Sequence, residues 1–157
     1  MDIGRIILLG LVIGAIPFGI KYTLRKMHER SVLKIAGSAS DSALSVCQER
    51  EFEINADYDK SFDMCINSVA EIQNGRIINQ DKDGGNIEVK VRTTWKTAPS
   101  SIGFKLTKID TSTTKINIIS KPAFYIESAK QYDFGQNYKN IEIICGCLNR
   151  ISTLSKL

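Results

Sequence analysis

The sequence predicts an α+β fold: an N-terminal transmembrane helix, then an antiparallel β-sheet in the order β-α-β-β-β-β-α with two helices packed on one face. Three observations carry this reading. Residues 6–20 are uncharged between Arg5 and Lys21. Short runs between 51 and 119 alternate apolar with polar residues, as half-buried strands do. Two segments, near 57–72 and 133–155, repeat apolar residues at helical spacing. At 157 residues the chain holds one ordinary domain and an appendage, which excludes a large multidomain enzyme. A hydrophobic content of 43%, a charged content of 24% and a net charge of +4 place the bulk of it among folding rather than disordered chains.

IILLGLVIGAIPFGI covers about 22 Å as a helix, short of a hydrocarbon core of about 30 Å. Ile3, Gly4, Tyr22 and Leu24 lengthen it, while Arg5 and Lys21 can snorkel towards headgroups. Residues 1–24 are therefore expected to form a membrane anchor, with Ile6, Leu9, Leu11, Ile13, Ile16 and Phe18 against lipid. A cleaved signal peptide has a similar apolar length, but the charged stretch Lys21–Arg30 stands where a small-residue cleavage site belongs. Leu44-Ser-Val-Cys47 resembles a lipoprotein attachment box, yet Val46 replaces the usual Gly or Ala and the apolar run is more than twenty residues away. Gly10 and Gly14 form a GxxxG pair suited to close helix–helix contact.

Arg5 precedes the run, whereas Lys21, Arg25, Lys26, Arg30 and Lys34 follow it. This asymmetry predicts a single-pass protein of the cell membrane with its carboxyl-terminal domain in the cytoplasm, an extracytoplasmic placement being the alternative. The same five cations are candidates for contact with anionic lipid. Residues 25–48 are read as a basic juxtamembrane segment and a flexible linker, because Gly37–Gln48 is rich in small and hydroxyl residues. The α+β domain then occupies 49–157.

Within it, Glu51–Ala56 alternates as a first strand. Asp57 can cap a helix carrying Tyr58, Phe62, Cys65, Ile66, Val69 and Ile72, and Asn74-Gly75 ends it. Arg76–Gln80 forms the next strand, followed by the turn Asp81-Lys-Asp-Gly-Gly85. Ile87, Val89, Val91, Thr93 and Trp95 point one way and Glu88, Lys90, Arg92 and Thr94 the other. Ile102, Phe104 and Leu106 mark a fourth strand, Thr114, Ile116 and Ile118 a fifth stopped by Pro122. Asp133-Phe-Gly-Gln136 has capping-box spacing before a closing helix with Tyr138, Ile141, Ile144, Cys145, Leu148 and Ile151. Four strands joined by short turns imply an antiparallel meander whose apolar face takes both helices.

This order resembles the helix-grip folds, which include Bet v 1-like ligand carriers and domains of some bacterial envelope lipoproteins, and also a single TBP-like repeat. Asp57-Tyr-Asp-Lys-Ser-Phe62, Trp95, Ser120-Lys-Pro122 and Asp133-Phe-Gly-Gln-Asn137 with Asn140 resemble features of small membrane-tethered proteins. The resemblance spans about residues 51–155. Four strands lie between the helices where full Bet v 1-like proteins have six, which argues against a large internal lipid cavity.

The residues offer little catalytic chemistry. His28 is the single histidine and lies in the basic flank, away from any partner. Cys47, Cys65, Cys145 and Cys147 are separated by 18, 80 and 2 positions and match no paired CxxC zinc pattern. Asp57, Asp59 and Asp63 are explained by helix capping and solvated first-turn positions. No catalytic residue, metal or cofactor is expected. Lys90, Arg92, Lys105, Lys115 and Lys121 against Glu88 make the outward sheet face modestly basic, without the interleaved aromatics of a nucleic-acid footprint. The resulting expectation is a non-enzymatic, membrane-anchored binding module, with a groove between the sheet and the last helix for an apolar ligand or partner segment. Trp95, Phe104, Tyr125 and Tyr138 are the groove candidates. The alternative is a structural or assembly subunit of an envelope membrane complex, partnered through the transmembrane helix. Membrane lipids are the expected partners in either case, and nucleic acid is not.

Overall fold

The structure is a computed structural model that describes residues 3–92, 99–124 and 132–154, with side chains described over 16–92, 99–124 and 132–153. The elements are α1 (Ile3–Ala36), α2 (Asp41–Leu44), β1 (Gln48–Ile54), α3 (Tyr58–Val69), β2 (Gly75–Asp81), β3 (Asn86–Val91), β4 (Ser100–Lys108), β5 (Thr114–Pro122) and α4 (Gln136–Leu154). The five strands form one antiparallel sheet in the order β1-β5-β4-β3-β2. The strand separated from the meander by α3 thus closes one edge, against β5.

Alternation decides which face is filled. Ile87, Val89, Val91, Ile102, Phe104, Leu106, Ile116 and Ile118 are buried, and they meet Phe62, Cys65 and Val69 of α3 and Ile141, Ile144 and Leu148 of α4. Each such side chain contributes about 1.5–3 kcal/mol on leaving water, so this face holds the body together. Both expected helices lie on that one face. Asp57 caps α3 by accepting a hydrogen bond from Lys60 N at 2.9 Å, and Gly85 takes a left-handed φ of +69° in the turn between β2 and β3.

Three features depart from the sequence reading. The segment expected to be a flexible linker, Gly37–Gln48, contains the helical turn α2, buries Ala43, and ends in Gln48, whose amide donates to Ser42 O at 2.7 Å and Ser45 O at 2.6 Å. Small and hydroxyl residues read as tether because they have no periodicity, yet they also make side-chain and backbone bonds that fold a short segment on itself. Strand β1 consequently starts at Gln48, three residues before the expected Glu51. The third departure concerns the anchor: among the described residues no helix is long and apolar enough to cross a membrane. The expected anchor and helix-contact residues Ile6, Leu9, Gly10, Leu11, Ile13 and Gly14 have side chains outside the described residues, while Ile16 and Phe18 are exposed.

Helix α1 continues without a break to Ala36, so the apolar run and the basic flank belong to one helix. Every described side chain from Ile16 to Met27 is exposed. His28 is the first buried one, followed by Val32. From there α1 touches α2 and α4.

Candidate functional site

Polar side chains gather where α4 begins, at one end of the sheet. Ser120, on the inward face of β5, donates to Asn137 Oδ1 at 2.8 Å, and Asn140 Nδ2 donates to Ser120 Oγ at 3.3 Å. Asn137 Nδ2 reaches Val46 O at 2.9 Å, and Gln136 Nε2 donates to Asn140 Oδ1 at 2.8 Å. Ser120, Asn137 and Asn140 are all but fully buried. Unpaired, each would cost about 1–3 kcal/mol; linked, they fix how α4 sits on β5.

The start of α4 is itself held by a second cluster. Asp133 accepts from Gly135 N at 3.1 Å and Asn137 N at 2.7 Å, capping the helix. The predicted cap residue is correct, but Gln136 does not reach back to complete a capping box; its amide serves Asn140 instead. Phe134 and Gly135 both take left-handed φ values, +53° and +78°. This aims Phe134 N at His28 Nδ1, 3.1 Å away, while His28 Nε2 lies 3.0 Å from Leu44 O. Both contacts are satisfied at once when Nδ1 accepts and Nε2–H donates, the neutral imidazole form. The ring lies 5.6 Å from that of Tyr132 and 6.4 Å from that of Phe134. The sequence expectation that His28 stands apart in the juxtamembrane flank is therefore corrected. A periodic reading of α1 treats it as one more polar residue, and only the return of the chain at Asp133 gives it partners.

Beside the polar cluster opens a cleft of about 270 Å³, lined by Val91 and Arg92 at the end of β3, Glu71 and Gln73 from the turn after α3, and Gln136, Lys139, Asn140 and Ile143 of α4. Val91 and Ile143 give it apolar contacts, and two cations, three amides and the carboxylate of Glu71, which pairs with Arg150 at 3.7 Å, give it a polar lining, so it suits an amphipathic guest. It lies between the end of β3, the turn after α3 and the closing helix, and none of the four expected groove residues is among those that line it. Phe104 is in the core, and Tyr138 packs under Arg50, whose guanidinium carbon is 5.8 Å from the ring centre. Trp95 and Tyr125 lie outside the described residues. Asn137 and Asn140 were not counted in the buried stripe of this helix because they are polar; their position four residues before the buried Ile141 and Ile144 is the signal that could have found them.

The lipid-contact candidates Lys21, Arg25, Lys26, Arg30 and Lys34 are exposed on α1. Arg25 and Lys26 both pair with Glu29, at 2.8 and 3.0 Å. Those hydrogen bonds hold the Glu29 carboxyl below, and the Arg25 guanidinium above, their ordinary values. All four cysteines are free thiols, and burial pushes Cys65 up to about 12. Cys145 and Cys47 are raised by burial as well. Among the described residues no group of three or more His, Cys, Asp or Glu side chains could hold a metal ion.

No protein-family profile and no curated protein matches the chain. Solved structures do resemble it. An uncharacterised protein from Bacillus thuringiensis aligns with 68% of this chain and 98% of its own at 6% identity, with a TM-score of 0.49. A START superfamily protein from Mycobacterium smegmatis covers 69% and 98% at 10% identity, TM-score 0.47. Norcoclaurine synthase from Thalictrum flavum covers 71% and 96% at 8% identity, TM-score 0.47. The likeness is one of architecture. It nevertheless corrects one expectation: with an enzyme among the similar structures, the fold offers no ground for excluding catalysis, and it does not establish catalysis for this chain.

Proposed function

We propose that the chain is a single-pass, membrane-anchored ligand-binding module whose body lies on the cytoplasmic side of the cell membrane. The observation that carries the binding reading is the cleft of about 270 Å³, in which Arg92 and Lys139 stand among Val91, Ile143 and the amide of Asn140, while its one carboxylate, Glu71, is paired with Arg150 at 3.7 Å. Such a lining favours a small ligand, or the end of a partner segment, with an apolar part and an acidic group. The anchoring reading is supported by the uncharged run 6–20, by the exposure of Ile16, Phe18 and Ile20 within it, and by the five cations that follow.

Native mass spectrometry of the full chain, released from membranes in mild detergent, tests the binding reading. The wild type should carry a small co-purifying molecule, and the R92Q/K139Q variant should lose it while keeping its secondary structure. An empty wild-type cleft in a stable oligomer would favour the assembly reading instead, with contact through Gly10 and Gly14.

A further inference from the structure

The outward face of the sheet is not uniformly basic; its charges are sorted along the strands. Arg76 stands opposite Lys90 in the β2–β3 ladder, Lys90 opposite Ser101, and Ser101 opposite Lys121, so one row across four strands carries three cations. Arg92 follows Lys90 by two residues on the same side. The acidic residues of β1, Glu49, Glu51 and Glu53, lie along the opposite edge, and Lys115 is paired with Glu51 at 2.8 Å. Among the described residues none of Arg76, Lys90, Arg92 and Lys121 makes an ion pair. Glu88 on β3 and Glu49, diagonal to Lys121 across the β1–β5 ladder, each stand one row away, and two carboxylates against four cations leave the group positive.

The group has a shape as well as a charge. Arg76, Ile77, Ile78, Lys90 and Arg92 line an open notch of about 420 Å³. The β2–β3 register shifts between Ile77 and Asn79, and Ile78 at that shift is 58% exposed. A bulge thus turns an apolar side chain outward into a ring of cations. Like charges on neighbouring strands repel, so this arrangement is costly unless an anion meets it.

Its position selects the anion. Lys121 follows Ser120, which is bonded to Asn137 in the first turn of α4. Arg92 shares a cleft with Gln136, the first residue of that helix. Two residues earlier, Phe134 is bonded to His28, where α1 meets the body. The cations therefore occupy the end of the body from which the apolar helix departs.

We propose that Arg76, Lys90, Arg92 and Lys121, with Ile78 between the strands, form a second contact with an anionic bilayer surface. The phosphate groups of lipid headgroups meet the cations and Ile78 enters the apolar edge of the interface. This rests on the membrane-anchor reading above, and it sets the orientation that the anchor alone leaves free.

The test is hydrogen exchange on the full chain reconstituted into vesicles of phosphatidylcholine, or of phosphatidylcholine mixed with phosphatidylglycerol. Amides of residues 75–80 should exchange about fivefold or more slowly on the anionic vesicles, as expected for at least one engaged cation. The slowing should vanish in R76Q/K90Q/R92Q and at high salt, and persist in K115Q, a control at the far end of the sheet. Equal exchange on both vesicle types, with the chain still bilayer-bound, overturns the proposal. Slowing produced in detergent by inorganic phosphate, without slowing on vesicles, also overturns it, in favour of a soluble phosphate site. Retention on phosphatidylcholine vesicles reads the anchor separately: a chain lost from these but protected on anionic ones would refute the anchor and sustain the surface.

Discussion

The ring of His28 accepts a hydrogen bond from the backbone N–H of Phe134 at 3.1 Å, across 106 positions of sequence. One side chain thereby ties the helix that carries the apolar run to the helix that lines the cleft. Removing it strands the Phe134 N–H and the Leu44 carbonyl and leaves a hole between Tyr132 and Phe134. H28A is expected to lose about 2–4 kcal/mol, the sum of unmade hydrogen bonds and a small cavity. Urea denaturation measures the loss, and a neutral Nε2–H tautomer should show directly in the imidazole nitrogen shifts.

The close approach of α1 to the start of α4 requires glycine at position 135. A Cβ there would stand 3.0 Å from Ile35 Cδ1 and 3.3 Å from Val32 Cγ2, on a backbone with φ of +78°. G135A should cost about 1–3 kcal/mol through strain and crowding combined. It should also loosen residues 28–36, seen as faster hydrogen exchange there. G103A, where a Cβ meets nothing within 4 Å, should change stability little and serves as the control.

These two residues show where sequence reading stops. Strand alternation placed Ile87, Val89, Ile102 and Ile116 on the inner face because a period of two is local and needs no partner. Asp57 and Asp133 were legible as caps for the same reason: cap and capped amide lie within four residues. His28, Gln48 and the Ser120–Asn137 pair were not, since their partners lie in distant or aperiodic segments and polarity alone points to solvent. The groove was expected between the sheet and the last helix, on large aromatics. The cleft is instead lined by Arg92, Lys139 and amides, whose side chains carry no periodic signal that distinguishes a pocket from a wet surface.

The buried Ser120–Asn137 bond predicts coupling. S120A and N137A each leave partners unmade and should cost about 1–3 kcal/mol. The double variant should cost less than the two losses together, by about 0.5–2 kcal/mol, because the second substitution has one fewer bond to break. A double-mutant cycle by denaturation measures it, and strict additivity would deny the network.

Burial of Cys65 predicts an alkaline limit. Its thiol rises from 9.0 to about 12 on folding, because desolvation disfavours the thiolate. An acid whose folded value is raised keeps its full contribution below its unfolded value, and the contribution falls as pH rises past it. Stability should therefore decline between pH 9 and about 12, by about 1.4 kcal/mol per unit from this group. The decline attributable to Cys65 is read as wild type minus C65A over that range. Cys65 should also resist thiol reagents in the folded protein.

The account depends above all on the apolar run of residues 6–20 residing in a bilayer while the body stays docked on the same helix. Alkaline carbonate extraction of membranes from cells producing the full chain tests this most directly. The account predicts that the chain stays in the membrane pellet at its full mass, and that a form beginning after residue 20 is washed out. Release of the full chain into the supernatant would contradict it.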